Sequence, residues 1–345
     1  MDTKNIEGLK EFLSVTRKVA ITCHFKPDGD AIGSALGLYH YLNKLGHEVF
    51  VIVPSEVPEF ISWLPGNDHV VCYSEETIDV CNDILEDSEI LFCLDFNALH
   101  RVGPMESLIT DRDLKYVMID HHLEPDDFDD FRFWSSDAAA TAELIYLLVE
   151  KFGDTYFIEE EAADCLYTGI MTDTGSFRHS NTTEQVHRVT AELIARGADN
   201  SKIHRKVYDT NTESRLRILG FALAEKLVIL KDSHTAYMSL EQDEMDKFNP
   251  QSGDTEGLVN YALSLDGIIF AALIKAGDGY SKLSLRSKGT FAANEIAGEY
   301  FSGGGHRNAS GGKFDGSVTD TINHFEKAVK ENKEALDLAF NELAK

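Results

Sequence analysis

Residues 24–34 read HFKPDGDAIGS and set His24, Asp28 and Asp30 between an apolar strand-like run, KVAITC, and a helical run, AIGSALGLYHYLNKLG. Asp95 ends a second apolar run, EILFCLD, and Asp120, His121 and His122 end a third, LKYVMID. Asp173, in MTDTGSF, follows a stretch with helical spacing. Singly, each has a structural role open to it: aspartates beside Pro and Gly make turns and helix caps, and histidines at strand ends are commonly hydrogen-bonded surface residues. Together they read differently, because carboxylates crowded at one sheet edge repel one another and lose hydration unless a cation neutralises them. Carboxylate oxygens mixed with imidazole nitrogens, without thiolate, suit Mn2+, with Mg2+, Fe2+ or Co2+ as substitutes, better than structural zinc. Two cations about 3.5–4 Å apart can clamp both the attacking and the leaving oxygen of an in-line displacement at phosphorus, so phosphoester hydrolysis is the chemistry expected.

For these groups to meet, the three apolar runs must end at the same edge of one sheet. Open α/β sheets bind ligands beyond the carboxyl ends of their strands, which is where these residues fall. KVAITC, EVFVIVP, EILFCLDF and LKYVMID are near-continuous apolar runs, the pattern of strands buried on both faces of a mostly parallel, helix-covered sheet. TAELIYLLVEKFG and EEAADCLYTGIMTD have helical spacing. A charged helical stretch follows, and beyond about Ala222 strand-like EKLVIL, HTAYMSL, GIIFAALIKA and YSKLSLRS alternate with helical EGLVNYALSL and FAANEIAGEYF. FSGGGHRNASGG reads as Gly-rich punctuation and the tail as a closing helix. The fold class expected is α/β with two domains: a catalytic domain over 1–190, a helical linker over 191–215, and a smaller α/β domain with a mixed sheet over 216–345.

Composition narrows the partners. The 345 residues exceed what one core usually serves. With 32 Lys+Arg against 59 Asp+Glu the formal charge is -27, which disfavours tracking a long duplex, since such binding rests on neutralising many phosphates. A short anion gripped locally remains compatible. The five cysteines form no CxxC pair and read as reduced, buried residues. Neither a signal-peptide core nor an apolar run of about 18 residues is present, so no membrane partner and a cytoplasmic location are expected.

HFKPDGDAIGS, LDFNALHRVG, Asp120-His121-His122 and MTDTGSF resemble, in order and spacing, the four motifs of the DHH phosphoesterases, a family that includes RecJ, family II pyrophosphatases and NrnA-like oligoribonucleases. SLRS and GGGHRNASGG resemble the DHH-associated C-terminal domain. The resemblance implies that His24, Asp28 and Asp95 hold one Mn2+ and that Asp30, Asp95, His121 and Asp173 hold a second, with Asp95 bridging. It also implies that Asp120 orients a histidine and that His122 lies beside the reacting phosphate as donor or acid. Its NrnA-like branch implies cleavage of short RNA to 5′-mononucleotides and conversion of adenosine 3′,5′-bisphosphate (pAp) to AMP, and relatives that often dimerise make a homodimer an expectation.

In the second domain, Gly303, Gly304 and Gly305 can aim amides at an anion, and Arg286 with His306 can complete a phosphate clamp, although a plain Gly-rich turn accounts for the glycines equally well. Arg101 is a weaker phosphate candidate, and Arg178 and His179 carry no assignment. The competing readings are a phosphodiesterase for linear or cyclic dinucleotides, a RecJ-like exonuclease, and a non-catalytic nucleotide- or RNA-binding module.

Overall fold

The computed structural model describes residues 1–110, 112–251 and 253–343, together with the backbone but not the side chain of His306. The chain forms two compact units, Met1–Thr210 and Asn211–Lys345.

The first unit is built on a seven-stranded sheet of β1 (Asp2–Lys4), β2 (Lys18–Cys23), β3 (Glu48–Val53), β4 (Val70–Cys72), β5 (Ile90–Leu94), β6 (Lys115–Asp120) and β7 (Phe131–Trp134), in the order β1-β7-β6-β5-β2-β3-β4. All pairings are parallel except that of β1 with β7. Side chains alternate across the sheet as the pleat requires. Ile90, Phe92 and Leu94 face one core with Val19, Ile21 and Cys23, whereas Leu91, Cys93 and Ala20 face a second core on the other side. The unbroken apolar runs are therefore strands buried on both faces. From β2 the chain winds outward through β3 and β4, then returns to lay β5, β6 and β7 on the other flank. The order reverses between β2 and β5, which makes a crevice at their carboxyl ends.

Helices Gly29–Lys44, Thr141–Phe152 and Glu160–Asp173 cover the face above that crevice. Glycine lets the first and third come unusually close. A Cβ at Gly33 would lie 2.6 Å from the Cys165 carbonyl oxygen, and one at Gly37 would lie 2.5 Å from the Leu166 side chain. Helices Glu184–Ala195 and Asn200–Tyr208 add Val186, Val189, Leu193 and Ile203 to the same core, so the segment 191–215 contributes to the first unit up to Thr210.

The second unit carries β8 (Val228–Leu230), β9 (Thr235–Leu240), β10 (Phe270–Ala276), β11 (Ser281–Ser287), β12 (Gly304–His306) and β13 (Ala309–Phe314), ordered β12-β13-β11-β10-β9-β8. Only β9 and β10 run parallel, so this sheet is mixed. The Gly-rich stretch expected as punctuation is an antiparallel hairpin, β12 on β13. The closing helix is two, Val318–Glu331 and Lys333–Leu343, interrupted at Asn332. No helix among the described residues is long and apolar enough to cross a membrane.

Candidate metal centre

The carboxyl ends of β2, β5 and β6 carry the first three groups of residues to the crevice. His24 follows β2, Asp95 follows β5, and Asp120 closes β6 with His121 and His122 beyond it. Asp28 and Asp30 arrive on the start of helix Gly29–Lys44, and Asp173 is the last residue of helix Glu160–Asp173. The close crossing of those two helices at Gly33 brings Asp30 and Asp173 to one place.

Asp95 lies at the centre, 2% exposed. Its Oδ2 is 3.4 Å from His24 Nε2, and its Oδ1 is 3.4 Å from His121 Nε2 and 3.7 Å from His122 Nδ1. His24 Nε2 also faces Asp28 Oδ1 at 3.8 Å, and His121 Nε2 faces Asp173 Oδ2 at 3.4 Å and Asp30 Oδ2 at 3.9 Å. Potential ligand atoms thus fall into sets within 4.8 Å of one another: His24, Asp28 and Asp95; Asp30, His121 and Asp173; and Asp95, His121 and His122. Asp95 gives one oxygen to each side. Its backbone adopts φ 62°, the left-handed region that an aspartate tolerates better than most residues.

Both imidazoles are held as ligands require. The Nδ1 of His24 is 3.0 Å from the Phe25 carbonyl and that of His121 is 3.3 Å from the Ala138 carbonyl. A carbonyl only accepts, so Nδ1 carries the proton and Nε2 is turned to the carboxylates, the arrangement of a metal-bound histidine. Among the described residues no lysine or arginine pairs with Asp28, Asp30, Asp95 or Asp173; histidines alone do. The protonation pattern follows. Burial opposes the charged imidazoles, but Asp28 and Asp95 lift His24 to about 10, and Asp95, Asp30 and Asp173 lift His121 to about 10. Burial and the neighbouring carboxylates push Asp30 well above the usual carboxylate range and Asp173 up to about 7. Burial also works against the Asp95 carboxylate, yet His121 and His24 hold it well below that range. Without a cation the site makes counterions of its own histidines. That need, and the donor set of carboxylate oxygens and imidazole nitrogens, fit hard or borderline divalent cations.

Asp28 combines both roles open to it from sequence. Its Oδ1 accepts from the amides of Asp30 (3.0 Å) and Ala31 (3.1 Å), capping the helix, while facing His24. Asp120 is fully buried and binds His122 twice, through Nδ1 at 2.7 Å and through the backbone amide at 3.1 Å.

Thr141 escapes sequence reasoning. Its hydroxyl donates to Asp95 Oδ1 at 3.0 Å, and its amide and that of Ala142 donate to the two oxygens of Asp30 at 2.6 and 3.0 Å. Helix Thr141–Phe152 begins after Ala140, which has no side chain to cap it, so Asp30 takes the cap position from 111 residues away and meets the positive helix end. An uncapped helix start in AAATAEL is the available signal.

The remaining candidates are in none of these ligand sets, although the Nδ1 of His179 lies 3.3 Å from the Asp173 carbonyl. Arg101 lies in the turn Leu99–Met105, where its carbonyl accepts the Phe25 amide at 2.8 Å and braces the His24 loop. The exposed residues Arg178 and His179 follow Gly175, Ser176 and Phe177, three successive residues at positive φ. In the second unit Arg286 on β11 reaches its own neighbour's carbonyl, Leu285, at 2.9 Å and that of Ser310 at 3.4 Å. Burial lowers its pKa, and among the described residues no carboxylate pairs with it. The hairpin itself demands two of the glycines: a Cβ at Gly303 would lie 2.0 Å from the Gly311 carbonyl oxygen, and one at Gly305, φ 137°, would lie 2.8 Å from that of Ala309. Gly304 has open space instead. The His306 side chain lies outside the described residues.

Residues 18–170 match the DHH family N-terminal domain and residues 234–337 the DHHA1 domain. The chain is 29% identical over 332 residues to the bifunctional oligoribonuclease and PAP phosphatase NrnA of Thermus thermophilus, covering 94% of this chain and 92% of that protein. It is 27% identical over 300 residues to the NrnA of Bacillus subtilis, covering 87% and 90%. The crystal structure of an exopolyphosphatase-related protein from Bacteroides fragilis matches with a TM-score of 0.91 at 38% identity, over 96% of this chain and 97% of that one.

Proposed function

Since the chain belongs to the DHH family, with curated relatives of the NrnA type over most of its length, we propose that it hydrolyses short RNA oligonucleotides to 5′-mononucleotides and converts pAp to AMP. The observation that carries this reading is the division of Asp95 between two histidine–carboxylate groups at the switch point of the sheet.

His24, Asp28 and Asp95 would hold one divalent cation, and Asp30, Asp95, His121 and Asp173 the other; Mn2+ is the ion this donor set favours. Bound there, the cations supply charge neutralisation and polarisation of phosphoryl oxygens. Everything else falls to the chain. The carbonyls of Phe25 and Ala138 keep the proton of each ligand imidazole on Nδ1, leaving Nε2 for coordination. Thr141 and the helix start hold Asp95 and Asp30 in place before anything binds, so little reorganisation is needed. Asp120 anchors the Nδ1 proton of His122 and so fixes the ring; in its charged form His122 has a second proton, on Nε2, to give to a phosphoryl or leaving oxygen. Arg286, half-buried and, among the described residues, paired with no carboxylate, suits a terminal phosphate, and Gly304 leaves open space in the hairpin where a side chain would stand.

The test is product analysis with Mn2+ on pAp, di- to pentaribonucleotides, cyclic di-AMP, a long single strand and pyrophosphate. AMP and phosphate from pAp, and mononucleotides from the short RNAs, are expected. Turnover confined to cyclic di-AMP or pyrophosphate would overturn the assignment. Arg286→Ala is expected to raise KM for 5′-phosphorylated substrates about tenfold or more, the loss of a charge-assisted contact, and to change bis(p-nitrophenyl) phosphate hydrolysis far less.

A further inference from the structure

A cavity of about 350 Å³ adjoins the cluster and shares two of its carboxylates, Asp28 from one group and Asp173 from the other. Phe60, Thr172, Val207 and Tyr208 complete the part of its lining that matters here, all within the first unit. Phe60 sits on the short turn Glu59–Ile61 and is 38% exposed, an aromatic ring left open to solvent beside a polar site. The Thr172 hydroxyl is taken up by the carbonyls of Thr168 and Gly169, both at 3.0 Å, so it is not a spare donor for an anion.

What such a cavity holds is limited by its lining. Asp28 and Asp173 are assigned to the cations, and among the described residues no lysine or arginine lines the rest of the wall, so it offers a phosphate no cationic side chain. Its apolar members offer a cation nothing to coordinate. An uncharged, flat ring system meets both conditions: it stacks on an aromatic side chain and needs neither a cationic partner nor a coordinating ligand. The volume is at the small end for ligand sites, about 300–1,000 Å³, and so suits one base with part of its sugar rather than a longer segment. Because the cavity and the cluster share residues, one molecule can occupy both, with its ring in the cavity and its phosphate at the cluster.

We propose that this cavity receives the nucleobase of the nucleoside whose phosphate lies at the Asp95 cluster, with Phe60 as its stacking platform. The inference rests on the nucleotide reading above and adds what that reading lacks, a base-recognising surface inside the catalytic unit. It makes the first unit discriminate nucleotides from other phosphate esters.

The experiment compares kcat/KM for pAp with that for ribose 3,5-bisphosphate, which keeps sugar and phosphates and lacks the base, in wild type, Phe60→Ala and Phe60→Trp with Mn2+. Wild type is expected to prefer pAp, and Phe60→Ala to lose about tenfold of that preference, mainly through KM. Tenfold corresponds to about 1.4 kcal/mol, within the range for one base–aromatic stack. Phe60→Trp should retain the preference. If Phe60→Ala keeps it, or loses activity equally on both compounds, the cavity does not hold the base and the proposal falls. Failure of the functional reading looks different, with wild type turning over neither pAp nor short RNA. In that case calorimetric titration of AMP into wild type and Phe60→Ala still decides the cavity, and equal affinities overturn it.

Discussion

Thr141→Val removes one hydroxyl from the cluster and replaces no proposed ligand. Valine nearly matches threonine in shape and keeps the amide that donates to Asp30 Oδ2 at 2.6 Å, so only the bond to Asp95 Oδ1 at 3.0 Å is lost. Thr141 is fully buried, and water has no route to replace the donor. A hydrogen bond to a charged group contributes about 1.5–3 kcal/mol. Removing the outer partner of a metal ligand commonly weakens binding by about 10–100-fold, or about 1.4–2.7 kcal/mol. The two figures agree, so the variant should bind Mn2+ about 10–100-fold more weakly by calorimetric titration. Thr141→Ser, which restores the hydroxyl, should recover to within about threefold. Wild-type affinity in the valine variant, or a serine variant as weak as valine, would show that Asp95 does not depend on this bond.

Three further outcomes follow from the same geometry. Gly33→Ala places a Cβ 2.6 Å from the Cys165 carbonyl and forces two helices apart, so thermal unfolding should show a loss of about 1–3 kcal/mol together with weaker Mn2+ binding, whereas a neutral substitution would mean the crossing does not position Asp30 and Asp173. Asp95→Asn preserves a side chain that tolerates φ 62° and should leave circular dichroism unchanged while lowering Mn2+-dependent turnover by at least about a hundredfold; near-normal turnover with saturating metal would remove the bridge. In EDTA, folded Asp173 keeps a proton from 3.8 up to about 7, and His24 and His121 keep theirs from 6.5 up to about 10, where the unfolded chain has released them. More protons on the folded state means stability falls as pH rises, so the metal-free melting temperature should drop between pH 6.5 and 9 and the Mn2+-loaded one should not; parallel profiles would contradict this.

What could be read from sequence is what local pattern determines. Each of Asp95, Asp120 and His24 lies at the end of an apolar run, and β2, β5 and β6, buried on both faces, carry charged residues only at their ends. The parts that stayed hidden depend on distant chain. Thr141 matters through Asp30, 111 residues away, and nothing in AAATAEL names that partner. Strand β1, Asp2–Lys4, is exposed and polar and exists because β7 offers it an edge to pair with. The run Gly303–Gly305 has the composition of a turn, but the β13 backbone lies so near that side chains at Gly303 and Gly305 would collide with it, and a strand results. In each case a tertiary neighbour outweighed local propensity.

Metal-free and metal-loaded states of the cluster then differ chiefly in which positive charges occupy it. The ligand positions are held by groups that do not titrate: two backbone carbonyls on the imidazoles, two amides on Asp30, and the Thr141 hydroxyl on Asp95. With that frame in place, the protons that the neighbouring carboxylates hold on His24 and His121, raised to about 10, act as stand-ins for divalent cations, and Asp95, ionised throughout, serves both pairs. Cation entry must therefore expel a proton from each imidazole, and on the His121 side also the protons held by Asp30 and in part by Asp173, so at neutral pH the His24 site should release about one and the His121 site more than one. Titration in two buffers of different ionisation enthalpy measures that release directly. A release near zero would mean that the histidines are already neutral, and that the carboxylates are balanced by something other than the imidazoles that face them.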